Sequence, residues 1–131
     1  MGLRTFIGGV HPYEGKELSA DKPMQVMFPG KELVFPLSQH IGAPAKPIVA
    51  KGDQVLVGQR IAEAGGFISA HVLSSVSGTV KGIEPRRVAN GSILQSIIVE
   101  NDGEYKTIEG FGEKRDYTTL SAQEIRDIVK E

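Results

Sequence analysis

The sequence predicts an all-β fold, a compact sandwich or barrel with one short helix at its C-terminal end. Three observations carry that expectation. Short β-rich runs at 47–50, 54–57, 61–62, 68–73 and 79–83 are separated by turn residues at Lys51-Gly52-Asp53, Gly58, Gly65-Gly66 and Ser77-Gly78. Strands bounded by Gly and Asp at such spacing build sandwiches and barrels. No helical period of ten or more residues fits between these runs, so a βαβ rhythm is excluded. The helical signature lies in the tail alone.

Composition bounds the function. At 131 residues the chain makes about one domain, long enough for one real core. A net charge of −1, with basic residues scattered apart from Arg86-Arg87 and Lys114-Arg115, argues against a nucleic-acid binder, which needs a clustered basic face. The chain has no cysteine, which excludes disulfides, thiol nucleophiles and clusters ligated by its own thiolates. No apolar run approaches ~20 residues, and the N-terminus lacks the apolar segment of a signal peptide. Direct membrane insertion is therefore not expected, and any association with a membrane goes through a partner.

In chain order, 5–10 reads as a short strand ended by paired glycines, and His11-Pro12 and Lys22-Pro23 force extended or turn backbone. Residues 24–28 (Met-Gln-Val-Met-Phe) alternate like a strand before the Pro29-Gly30 turn, and 32–37 reads as another strand. After the central stretch, Val88-Ala89 leads to Asn90-Gly91, a two-residue type I′ signal, with 93–99 as the return strand. Asn101-Asp102-Gly103 turns again before 105–108. In the tail, Ser121-Ala122-Gln123-Glu124 is a capping box, and Leu120 with Ile125 stands at the positions of a hydrophobic staple. Ile125, Ile128 and Val129 then share a helical face. A helix so short is marginal alone, so it packs on the β-body or belongs to a longer chain. The expected division is an N-terminal extension over 1–38, a barrel over 39–110, and a linker and helix start over 111–131.

A faint repeat relates 50–63 to 89–100, each a turn, an apolar strand and an acidic residue. Two such halves describe a barrel-sandwich hybrid, and Gly52-Asp53-Gln54-Val55 through Ala64 and Val76-Ser77-Gly78-Thr79-Val80 resemble strands of biotinyl and lipoyl carrier domains. In a carrier, the hairpin between those phrases presents a modified lysine. Here it reads Glu63-Ala64-Gly65-Gly66-Phe67-Ile68-Ser69-Ala70, without one. With no amine to acylate, the fold resemblance stays and the swinging-arm chemistry does not.

Gly8-Gly9-Val10-His11-Pro12, then Gln39-His40-Ile41-Gly42-Ala43-Pro44-Ala45, then Gly52-Asp53, Gly58-Gln59 and Ser77-Gly78-Thr79-Val80 occur in an order that resembles the amino-terminal region of RnfC, from the Rnf complex, an ion-translocating ferredoxin:NAD+ oxidoreductase. The resemblance covers essentially the whole chain. A more distant similarity is to the A component of the sodium-translocating NADH:quinone reductase. The resemblance implies a parent protein with a Gly-rich region for NADH and FMN and two cysteine-rich motifs for [4Fe-4S] clusters. It also implies peripheral attachment, through other Rnf subunits, on the cytoplasmic side of the bacterial cell membrane. This chain ends before the first feature and has no cysteine for the second. No catalytic, cofactor-binding or metal residue carries over to it.

Individual residues are read accordingly. His11, His40 and His71 fit no zinc-ligand spacing and are expected to be structural or exposed, with His11 and His40 hydrogen-bonding loop backbone. Ser74, Ser75 and Ser77 near His71 lack a nucleophile elbow and make a Ser-rich bend. Asp53, set against Glu63 as a conceivable acid–base pair, is a turn residue after Gly52. Arg86-Arg87 is a solvated strand end. Three functions follow from different classes: a non-catalytic assembly domain of an electron-transfer subunit, which leads; an acyl carrier using Lys46 or Lys51; and a free-standing binding barrel.

Overall fold

The computed structural model describes Gly8 and residues 12–130. The strand expected over 5–10 lies outside the described residues apart from Gly8, as does His11. Two sheets face each other. The larger has the antiparallel order β1 (Glu32–Pro36), β7 (Ile93–Asn101), β6 (Gly78–Arg87), β3 (Gln54–Val55); the smaller has the order β2 (Lys46–Pro47), β4 (Arg60–Glu63), β5 (Val72–Leu73). Between them Phe35, Leu37, Val55, Ile61, Val72, Val76, Val80, Ile97 and Val99 close into one core. This is the all-β, barrel-sandwich arrangement that the turn spacing indicated.

Strand β7 pairs along both edges, with β1 from Glu32↔Glu100 to Pro36↔Ser96 and with β6 along its length. Ile97 and Val99 enter the core. Ile98 faces the other side, where Glu32, Lys81, Glu84 and Arg86 surround it, and it too is buried. Arg86 reaches Glu32 and Glu84, Lys81 reaches Glu32, and Arg87 donates to the Gly91 carbonyl. Such half-exposed pairs contribute little stability, but they occupy the Arg86-Arg87 guanidiniums.

Several sequence expectations change. The strand expected over 24–28 is absent: Met24, Val26, Met27 and Phe28 are all exposed, and no described strand takes their backbone. Alternation without a pairing partner does not make a strand. The run 79–83 lengthens to Gly78–Arg87, with Lys81 as a bulge that shifts register between Val80↔Val99 and Gly82↔Ile98. The bulge brings Val80 and Ile83, three apart, to the same face. The run 54–57 shortens to Gln54–Val55, because Val57 instead bridges Thr107 in parallel. Asn90-Gly91 is not a type I′ turn: Gly91 donates to the Val88 carbonyl and Val88 to Ser92, and only Gly91 of the pair has positive φ, at 84°. That is the three-residue loop of a type I turn followed by a left-handed glycine.

Behind β7 a latch ties the exit of the sheet to its start. The Ser77 hydroxyl donates to Asp102 Oδ1 at 2.7 Å and accepts from the Lys106 amide at 2.9 Å; Asp102 also accepts from the Glu104 amide at 2.8 Å. The Ser77 hydroxyl first, then the Glu104 amide, with Lys106 nearby, holds the Asp102 carboxyl below its usual value of about 3.8. Ser74 bonds the Val76 carbonyl. Both serines are structural.

In the tail, Asp116 accepts from the Thr118 amide and opens a 3-10 turn at Tyr117–Thr119; α1 follows over Ala122–Lys130. The capping box forms as expected, with the Ser121 amide on Glu124 Oε2 at 2.7 Å and the Glu124 amide on the Ser121 hydroxyl at 3.3 Å. No residue of α1 is buried.

Two outcomes follow from the sheet. Any Cβ at Gly78 would collide with the Glu100 carbonyl of β7, at a φ of 153° that L-residues rarely adopt. Gly78→Ala should therefore cost about 3 kcal/mol in urea unfolding, and an unchanged midpoint would contradict the contact. A carboxyl lowered on folding, such as Asp102, adds stability above its ordinary value and loses it as pH falls through the lowered one. Stability of the parent protein should thus fall more steeply below about pH 4 than that of Asp102→Asn. Parallel curves would show that the latch carboxylate does not stabilise the fold.

Candidate functional site

The place to look for chemistry is the β4–β5 connection, residues 64–71, where a carrier domain would hold its lysine. No lysine occurs between Lys51 and Lys81. Lys46 lies opposite Glu63 in the β2–β4 ladder, at the base of the hairpin, and Lys51 lies beside Lys81 and Glu32 on the outer face of the larger sheet. Neither reaches the tip.

The tip is pinned. Residues 68–70, expected to continue a strand, instead bond to the 40–44 loop, which shortens β5 to Val72–Leu73. The Ala43 amide donates to the Ile68 carbonyl at 3.0 Å. The Ser69 hydroxyl donates to the Ala43 carbonyl at 2.8 Å and accepts from the Gly65 amide at 2.9 Å. Glycine is required at two contacts: a Cβ at Gly42, whose φ is 120°, would strike the Ile68 carbonyl, and one at Gly65 would strike that of Pro44. Phe67 at the apex is fully exposed.

Both described histidines serve this clamp. His40 Nε2 accepts from the Ala70 amide at 2.9 Å, which leaves the ring proton on Nδ1, 3.0 Å from the Ile41 carbonyl. His71 Nδ1 accepts from the Ala64 amide at 3.1 Å. His40 bonds loop backbone as the sequence indicated; His71, expected only to be structural or exposed, does so too. Asp53 accepts from the Ala50 amide at 2.8 Å and so closes its turn, while Glu63 sits in β4 opposite Lys46.

A cleft of about 620 Å³ opens between Pro36, His40 and Ile41 on one side and Val88, Asn90 and Leu94 on the other. Its walls carry no carboxylate, amine or thiol, and both nitrogens of His40 are engaged. Among the described residues no three His, Asp or Glu side chains gather as metal ligands. FMN and [4Fe-4S] groups, implied by the resemblance for a parent protein, do not fit the residues here: there is no thiolate donor and no Gly-rich helix start. The arrangement holds the hairpin tip against the 40–44 loop.

Sequence reasoning found the missing lysine but not the clamp. The signal was Gly42 and Gly65-Gly66 facing each other across the two loops.

Comparison with known proteins accords with this geometry. The family model of the RnfC barrel sandwich hybrid domain matches residues 4–104. The chain is 38% identical over 129 residues to the C subunit of the proton-translocating ferredoxin:NAD(+) oxidoreductase complex of Clostridium ljungdahlii, covering 98% of this chain and 28% of that protein. It is 46% identical over 99 residues to the C subunit of the Na(+)-translocating ferredoxin:NAD(+) oxidoreductase complex of Acetobacterium woodii, covering 76% of this chain and 22% of that one. With the C subunit of the ion-translocating oxidoreductase complex of Haemophilus influenzae, identity is 33% over 125 residues, covering 94% and 19%. The chain thus spans from about a fifth to somewhat over a quarter of the length of these relatives, and it belongs to the RnfC barrel sandwich hybrid domain family.

Proposed function

We propose that this domain is a non-catalytic assembly element of the RnfC protein of a membrane-associated, ion-translocating ferredoxin:NAD+ oxidoreductase complex. The observation that carries the reading is the pinned hairpin. At the position where carrier barrels present an acyl-lysine, this one has no amine, and one backbone bond, two bonds of the Ser69 hydroxyl and two histidines tie the hairpin down. A swinging arm needs both a reactive amine and a loose tip. A docking body needs neither.

In this reading the parent protein binds NADH and FMN and carries two [4Fe-4S] clusters outside this domain. The β-body fixes that redox unit relative to the other subunits on the cytoplasmic side of the cell membrane. Among the described residues no helix is long and apolar enough to cross a membrane, which accords with attachment through partners. The exposed Ile125 and Val129 of α1 give the adjoining part of the parent chain a face to pack on.

Deleting the domain from full-length RnfC should leave its flavin and cluster absorption intact while the protein fails to co-purify with the complex. Normal co-purification would overturn the assembly role, and stoichiometric binding of FMN or NADH by the isolated domain would overturn its non-catalytic character. The clamp makes its own prediction. Ser69→Ala orphans the Gly65 amide and the Ala43 carbonyl and should cost about 1–2 kcal/mol. It should also open the hairpin to proteolysis beside Phe67; a variant as resistant as the parent would show that the clamp does not hold the tip.

A further inference from the structure

Charge is distributed unevenly over this barrel. Residues 37–45, 64–80 and 88–99 contain no Asp, Glu, Lys or Arg, although 24% of the chain is charged. The fold gathers the 40–44 loop, the 65–70 hairpin and the β6–β7 turn at one end, with Arg87 at its margin. The 40–44 loop is hydrogen-bonded to the 65–70 hairpin, and the cleft beside Ile41 is closed on its far side by the β6–β7 turn. From this charge-free end project Phe67, Ile41, Ile68 and Ile93, between 62% and 103% exposed. An apolar, uncharged centre is the composition of an interface core, and a rigid exposed aromatic is the commonest anchor in one.

Neither the entry nor the exit of the larger sheet lies at this end. β1 runs toward this end and β7 runs away from it, so the chain enters and leaves the larger sheet at the other end. There the Asn101 amide donates to the Lys31 carbonyl and its side chain to the Gly30 carbonyl. The nine residues of β7 separate the two ends by about 30 Å. The continuation of the chain beyond β7 therefore sets out from the opposite end.

A carboxylate or ammonium pressed onto the centre of this end, around Phe67 and Ile41, would lose its water and find no counter-ion, so the surface matching that centre is itself uncharged. A bilayer bearing anionic lipids attracts proteins through clusters of Lys and Arg, and the described segments that form this end carry none; Arg87 stands at the margin, where it donates to the Gly91 carbonyl. We propose that the charge-free end is the docking face of the domain, and that its occupant is a separate polypeptide of the complex presenting an uncharged apolar pocket to Phe67. The proposal rests on the assembly reading above and names the face it uses.

The test uses full-length RnfC in its complex. A photoreactive phenylalanine analogue at position 67 should form an adduct with a different polypeptide of the complex. Phe67→Ser combined with Ile41→Ser, two fully solvated positions whose exchange leaves the core intact, should weaken retention in the complex at least about tenfold. That loss should be the same at low and at molar salt, because neither replaced side chain carries a charge. An adduct within the same chain, with a second copy or with lipid overturns the assigned occupant, as does loss of binding to phosphatidylglycerol vesicles in the double variant. If deleting the whole domain releases RnfC but the double variant does not, the face is wrong while the assembly role stands. If neither releases it, both fall.

Discussion

Strand β7 is the constraint on which the rest of the structure depends. Among the described strands of the larger sheet, only β7 is paired over most of its length on both edges, and Ile97, Ile98 and Val99 are buried in succession because both of its faces are covered. Two consequences follow for its neighbours. β6 must approach β7 closely enough that only glycine fits at position 78, and it must bulge at Lys81 to keep Val80 and Ile83 on one face. β1 must deliver Phe35 and Leu37 and then release the chain into the loop that grips the β4–β5 hairpin. The clamp at the tip is thus built on the same strand pairs that close the core.

That dependence explains a domain with the frame of a carrier and none of its chemistry. The hairpin position is kept, but backbone bonds from the 40–44 loop replace mobility with order, and Phe67 stands where an amine would. Ordering such a loop has an entropic cost of about 1–2 kcal/mol per residue, so its bonds indicate that a fixed shape is being used. On the assembly reading proposed above, the domain needs no carboxylate at its tip. The carboxyls held below their ordinary values, Asp102, Asp116 and Glu124, serve instead in turns and caps away from the tip.

What could be read from the sequence is what short-range chemistry determines. Glycine and asparagine spacing revealed a β-body, and Ser121 with Glu124 revealed the start of α1, because turns and caps are made by residues a few positions apart. The missing lysine was equally plain. Less legible were features decided by distant partners. Residues 68–70 have strand composition, yet their hydrogen bonds go to a loop some 26 positions earlier. Met24, Val26 and Phe28 alternate correctly but meet no strand. The bulge at Lys81 and the three-residue loop at 89–91 depend on the register with β7, which no local pattern encodes. His40 was legible as a backbone partner on general grounds; that His71 is one too, and that both bind the same hairpin, required the fold.

Whether the tip is truly rigid is read from amide hydrogen exchange at Ala43, Gly65 and Ala70 in the free domain, because these three N–H groups make the clamp. A preorganised tip should show protection approaching that of the core amides of β7. Exchange at the rate of an open loop would mean a mobile hairpin, and the reading of this domain as a rigid assembly element would be contradicted.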